Sequence, residues 1–279
     1  MAVIGDPISH SLSPLIHETA LCALGINCDY QKIFVQRGHL KEFFDNPNTK
    51  KLTGFNVTMP HKTDIIKYLD YVSPEALNYN AVNTVKVKNG KFYGYNTDAD
   101  GFVRSANDIG FDFGSKRIVI LGAGGVSSTL CIKLSEIAAG IKIVNRHIKG
   151  AEEIAKRLSS SSAAIEFEEL IEERLFEICN ESDVLINATP LGMSGIDSDY
   201  KDFRFLSGLK SNALVADLIY NPPKTRLLAH AEALGLKTIN GFGMLIYQGL
   251  IADEIFLEKT FDFRPLYKKI CDIAEKIKK

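Results

Sequence analysis

The chain has 279 residues, a little under two domains at roughly 150 residues each. Its 46% hydrophobic and 24% charged residues are those of an ordinary folded protein, which excludes a disordered chain and a coiled coil. Lys and Arg number 33 against 34 Asp and Glu, and this formal net charge of -1 points to neither a nucleic acid nor a membrane surface as partner.

The first predicted strand, at 2–5 (AVIG), leads into Ser9-His10-Ser11-Leu12-Ser13-Pro14. Here Ser13 reads as a helix N-cap and Pro14 as the first helical residue, with Ile16, Ala20, Ala23 and Leu24 forming one face before Gly25. Ser11 and Ser13 also add hydroxyl donors to a helix N-terminus, whose free N–H groups attract anions, so a small carboxylate would fit. Cap and anion site are both open readings.

Strands at 29–35 and 52–57 come next, and Asn56-Val57-Thr58-Met59-Pro60-His61-Lys62 joins the second to a predicted helix through Ile65, Ile66 and Leu69. A lysine at a helix N-terminus sits in an unfavourable positive field, which lowers the cost of losing its proton. Lys62 is therefore an acid/base candidate, with a plain surface lysine as the alternative. TVKVK-NG-KFYGY at 84–95 is a hairpin, because Asn89-Gly90 is the favoured type I′ turn. Paired positions then sum to 179, so Asn83 faces Asn96 and Asp98 lies two residues beyond. An amide and a carboxylate meet at one end of the hairpin, suited to adjacent hydroxyls, although Asp98 also suits a helix cap.

A helix at 100–110 leads to a second unit from Ser115, with strands at 117–121, 141–145, 184–188 and 214–219. The alternation of strands and helices argues for parallel βαβ units and an α/β protein. Gly122-Ala123-Gly124-Gly125-Val126-Ser127 joins strand to helix as G-x-G-x-x-S, a tight turn that lets a pyrophosphate approach a helix N-terminus. The next strand ends in Asn145-Arg146-His147, with no acid to bind a ribose 2′-hydroxyl. Arg146, with Lys149 behind it, favours NADP over NAD; a solvated basic turn is the alternative. Residues 244–279 read as two helices joined near Asp262–Pro265.

No apolar run reaches the ~18 residues of a membrane helix. The start, MAVIGDPISHS, lacks the pattern of a signal peptide. Cys22, Cys28, Cys131, Cys179 and Cys271 are scattered without C-x-x-C, and the six His show no H-E-x-x-H. A cytoplasmic protein without disulfides or metal is expected.

Taken together and in order, HSLSP (10–14), NVTMPHK (56–62), AVNT (81–84), NTDADG (96–101), GAGG (122–125), NR (145–146), NATPLGM (187–193), DLIYNP (217–222) and GFGMLIYQ (241–248) resemble the shikimate dehydrogenase family, including its shikimate/quinate branch. The resemblance implies an α/β fold of two domains with a cleft between them. These are an N-terminal α/β substrate domain with a mostly parallel sheet, at 1–100 plus 243–279, and a Rossmann-type NADP-binding domain at 101–242. It implies reversible, NADP-dependent reduction of 3-dehydroshikimate to shikimate in aromatic amino-acid biosynthesis, on a monomer or homodimer. By the same resemblance Ser11 and Ser13 bind the substrate carboxylate, and Thr58, Asn83, Asp98 and Gln248 bind hydroxyls. Lys62 and Asp98 are the catalytic pair, and Tyr220 lines the cleft. Gly122, Ala123, Gly124, Gly125, Val126, Asn145, Arg146, His147, Lys149, Thr189, Leu218 and Gly241 are the cofactor-binding positions. Two departures stand out. The family's N-R-T-x-x-R turn is here Asn145-Arg146-His147-Ile148-Lys149-Gly150, which leaves NAD use open, and Asn80 stands where a Gly is usual. The alternatives are a quinate/shikimate dehydrogenase with relaxed NAD/NADP use and a catalytically silent NADP-sensing regulator.

Overall fold

Two six-stranded sheets organise the chain in a computed structural model that describes residues 1–180 and 182–277. Two units divide it, Met1–Gly101 with Ile246–Lys279 and Phe102–Leu245.

In unit 1 the strands are β1 (Ala2–Gly5), β2 (Gln31–Phe34), β3 (Gly54–Val57), β4 (Tyr71–Val72), β5 (Thr84–Lys88) and β6 (Lys91–Tyr95). The first helices are α1 (Ser13–Ala23), α2 (Leu40–Asp45), α3 (Pro74–Tyr79) and α4 (Asp98–Asp108), the last running on into unit 2. The sheet order is β2-β1-β3-β5-β6-β4. Parallel pairing holds β2, β1 and β3, and the β5–β6 hairpin joins antiparallel to β3. All four residues of β1 and of β3 are buried, as befits central strands covered on both faces. Ile4, Phe55, Val57, Ile65, Val85 and Phe92 form the core of this sheet.

Unit 2 carries β7 (Arg117–Leu121), α5 (Gly125–Leu134), β8 (Gly140–Asn145), α6 (Ile148–Arg157), β9 (Ala164–Glu169), α7 (Leu175–Cys179), β10 (Val184–Asn187), β11 (Leu214–Asp217), α8 (Arg226–Ala233) and β12 (Lys237–Asn240). Its sheet, β12-β11-β10-β7-β8-β9, is parallel throughout. Val119, Leu121, Leu185, Val215, Tyr200 and Leu227 belong to its core. From β12 the chain enters α9 (Gly241–Leu257), which ends in unit 1, and α10 (Phe263–Ile277), which packs on α1. The final two lysines of the expected 244–279 segment lie outside the described residues.

Three sequence expectations are corrected. Ser13 is the first residue of α1 rather than its cap: Leu12 occupies the cap position, and its side chain makes no capping bond. The helix after Lys62 is a five-residue 3-10 turn, Asp64–Tyr68, and is too short to supply the expected helix field. The joint between the last helices lies before Phe263, so Pro265 falls inside the first turn of α10, where its missing N–H costs nothing.

Candidate functional site

The polar residues of unit 1 gather where the sheet's strands end. The hairpin register is Thr84↔Tyr95 to Lys88↔Lys91, and Asn89 and Gly90 take φ of 54° and 72°, the two positive values of a type I′ turn. Beyond the last paired residues, Asn83 Nδ2 donates to Asp98 Oδ1 at 2.9 Å and to Thr97 Oγ1 at 3.0 Å. Asn83 Oδ1 accepts from the Thr97 N–H and the Thr84 hydroxyl. A buried amide held from both sides has one orientation.

Lys62 reaches this cluster because its carbonyl accepts from the Val82 N–H at 2.7 Å, while His61 is anchored by a ring nitrogen 2.6 Å from the Val35 carbonyl. Lys62 Nζ donates to Asp98 Oδ2 at 2.7 Å. Both Asp98 oxygens are thus engaged, one by a cation and one by an amide, and Asp98 is not spent as a helix cap. The lysine side chain is 24% exposed against 10% for the carboxylate, so its remaining N–H donors can meet a ligand. Gln248, carried by α9, places Oε1 3.4 Å from Asn83 Nδ2. Thr58 is half-buried, and its hydroxyl has no hydrogen-bond partner among the described residues. At the start of α1, Ser11 Oγ lies 3.2 Å from both the Ser13 N–H and Ser13 Oγ. Ser11 Oγ thus already accepts from the first N–H of α1, and the Leu12 side chain supplies no cap, so the serine pair sits beside the remaining N–H groups of the first turn. The structure therefore joins Lys62, Asn83, Asp98 and Gln248 in one hydrogen-bonded cluster and pairs Ser11 with Ser13. Thr58 stays outside both networks.

Unit 2 presents a second set. Gly122 has φ of 107°, and a Cβ there would stand 2.9 Å from the Ala188 carbonyl oxygen, so only glycine suits both the angle and the approach. Gly124 and Gly125 are exposed, and a Cβ on either would meet nothing within 4 Å. That open space lies over the N-terminus of α5, which no side chain caps. Uncapped N–H groups under bare glycine backbone fit a pyrophosphate. Ala123 and Val126 flank them, half-buried. Ser127 is buried where the helix meets the sheet. At the end of β8, Asn145 Nδ2 donates to the His147 carbonyl at 2.9 Å, which folds the turn back. Arg146, His147 and Lys149 are exposed there, with no carboxylate paired to them among the described residues. This donor set fits the phosphorylated ribose of NADP.

Thr189, Leu218 and Gly241 meet at the ends of β10, β11 and β12. Gly241 is required, since a Cβ would fall 2.0 Å from the Leu218 carbonyl oxygen. Tyr220 belongs to this second unit and is half-buried, and its hydroxyl has no partner among the described residues. Sequence reasoning missed the network beneath these loops. Asn187 Nδ2 donates to Asp217 Oδ1 at 3.0 Å, and Thr225 Oγ1 donates to Oδ2 at 2.6 Å. Asn187 Oδ1 accepts from the Thr189 and Tyr200 hydroxyls. Asp217 is 1% exposed, and its burial pushes its pKa up to about 6 against the pull of these donors. A signal was present: β10 and β11 are apolar runs that each end in one acid or amide, at Asn187 and Asp217.

Residues 3–85 match the model of the shikimate dehydrogenase substrate binding domain, and residues 104–194 match that of shikimate / quinate 5-dehydrogenase. A shikimate dehydrogenase (NADP(+)) of Alkaliphilus oremlandii is 43% identical over 259 residues, 92% of this chain and 90% of that one. The chain belongs to the shikimate dehydrogenase family. Among solved family structures, shikimate 5-dehydrogenase from Listeria monocytogenes in complex with shikimate and NAD is 34% identical. It superposes with a TM-score of 0.87, covering 96% of this chain and 94% of that one. The Thermus thermophilus family member, in complex with NADP(H) and shikimate, is 29% identical with a TM-score of 0.84, covering 97% of this chain and 98% of that one. Among the described residues no helix is long and apolar enough to cross a membrane, and no group of three or more His, Cys, Asp or Glu could hold a metal ion.

Proposed function

We propose that the protein is an NADP-dependent shikimate dehydrogenase, reducing 3-dehydroshikimate reversibly to shikimate. The observation that carries this reading is the Lys62–Asp98 contact at 2.7 Å, with Asn83 holding the other oxygen of Asp98. On this reading unit 1 is the substrate domain. Ser11 and Ser13 hold the carboxylate with hydroxyl and helix N–H donors, while Thr58, Asn83, Asp98 and Gln248 meet the ring hydroxyls. Tyr220 is assigned to the substrate as well.

Unit 2 is the dinucleotide domain. The Gly122–Val126 turn holds the pyrophosphate at α5, and Asn145, Arg146, His147 and Lys149 take the phosphorylated ribose. Thr189, Leu218 and Gly241 bound the nicotinamide end. Bound NADPH supplies a hydride to the ketone carbon. Lys62 donates a proton to the ketone oxygen as negative charge develops there, and Asp98 keeps the ammonium aimed through its 2.7 Å bond. In the reverse direction the neutral amine accepts the hydroxyl proton.

An intact, ion-paired Lys62 argues for turnover rather than silent cofactor sensing. The test is initial-rate assay of shikimate and of quinate, each with NADP+ and with NAD+. Shikimate with NADP+ is expected to be the fastest pair. No turnover of shikimate with either cofactor overturns the assignment, and faster turnover of quinate with NAD+ replaces it by the quinate reading.

A further inference from the structure

Tyr30, just before β2, is 4% exposed, and its ring stacks on His17 at 4.4 Å between centroids with 5° between planes. His17 Nδ1 lies 2.7 Å from Asp253 Oδ1, and both side chains are at most 1% exposed. The stack is therefore held from behind by α9. The phenol hydroxyl points elsewhere, to Asn56 Oδ1 at 2.6 Å. The direction of that bond follows from the far side of the amide. Asn56 Nδ2 faces the Asn83 carbonyl at 3.3 Å, a group that can only accept, and Thr84 Oγ1 at 3.2 Å. Nitrogen on that side puts oxygen toward Tyr30, so Tyr30 must be the donor. Burial, reinforced by the charge of Asp253, holds the phenol well above its ordinary range and so keeps that proton in place. Ser13 is its other polar neighbour. From Asn56 the chain of bonds continues: Thr84 Oγ1 donates to Asn83 Oδ1 at 2.8 Å, Asn83 Nδ2 to Asp98 Oδ1 at 2.9 Å, and Lys62 to Asp98 Oδ2 at 2.7 Å.

We propose that Tyr30 is a positioning residue of the reaction, its hydroxyl orienting Asn56 and, through Thr84 and Asn83, the carboxylate that aims Lys62. The proposal rests on the assignment of unit 1 as the shikimate-binding, proton-donating half. Ring packing alone does not need the hydroxyl, because the stack on His17 fills the space. Tyr30→Phe keeps that stack and removes only the donor, which leaves the buried Asn56 oxygen unsatisfied.

The test is steady-state oxidation of shikimate by NADP+ in the full-length protein, wild type against Tyr30→Phe, with thermal midpoints measured alongside. The proposal expects kcat to fall at least fivefold while KM for NADP+ stays within twofold. A fall of less than fivefold overturns it, whatever the thermal midpoint does. A KM for NADP+ that moves more than twofold overturns it too, because the change is then general. If Tyr30→Phe yields no folded protein, Thr84→Val reads the same chain from its middle, is isosteric within β5, and is judged by the same thresholds. Wild-type protein that does not turn over shikimate overturns the proposed function, and this proposal with it. Active wild type with an unaffected variant overturns this proposal alone.

Discussion

Lys62 has three N–H donors, of which Asp98 takes one at 2.7 Å. A general acid held this way contributes about 10²–10⁴-fold in rate. Lys62→Ala is accordingly expected to lower kcat for shikimate oxidation by about that factor while raising KM far less, as read from initial rates. Wild-type kcat in the variant would remove Lys62 from the chemistry. Asp217 offers a separate test through pH. Its burial raises the pKa to about 6 from 3.8, so between those values the native state holds a proton that the unfolded chain has released. Stability from this group is complete below pH 3.8, falls as pH rises through the window, and is flat above 6. Asp217→Asn has no such term. The stability of wild type minus that of Asp217→Asn should therefore decline from pH 4 to 6, by on the order of 2 kcal/mol, in denaturant titrations. A difference independent of pH would contradict the raised pKa.

At the scale of elements, the β5–β6 hairpin shows why part of the site is legible from the amino-acid sequence. Asn89-Gly90 dictates a two-residue turn, the turn dictates a register summing to 179, and the register delivers Asn83 beside Asp98. Every step is local. Asn80 is similar: it takes the left-handed conformation at the end of α3, with φ of 54°, where few residues other than glycine are comfortable. Other elements gave weaker signals. β9 (AIEFEE) is an edge strand whose three glutamates mask its pattern, β4 has two residues, and β12 (KTIN) has a single apolar residue. Ser13 looked like a cap because Ser-Pro fits that role, and only the backbone shows α1 starting one residue earlier. The His17–Asp253 contact spans 236 positions, and nothing local announces it. The turn itself can be tested. Gly90 has φ of 72° and open space around a would-be Cβ, so Gly90→Ala adds backbone strain and no clash. It should cost about 1–2 kcal/mol, seen as a lower denaturant midpoint with an unchanged slope.

At the scale of the molecule, each unit has its own sheet and its own apolar core, and the proposed ligands divide between them. NADP+ at a hundred times its dissociation constant is expected to stabilise unit 2 by about 2.7 kcal/mol, and shikimate is expected to act likewise on unit 1. Hydrogen exchange with each ligand in turn checks this: NADP+ should protect β7 and β10 amides, and shikimate those of β3 and β5. Protection by NADP+ confined to 1–101 would reverse the assignment of the two halves.

Unit 1 is also discontinuous, and this bears on how the protein is made. Translation delivers 1–101 first, yet Gln248, Asp253 and α10, which covers α1, are added last. On the ribosome, His17 and the apolar side of α1 wait uncovered while all of 102–245 is synthesised and becomes free to fold. Released chains that end at Leu245 should therefore retain NADP+ yet leave 1–101 open to protease. The half that emerges first is the half that matures last.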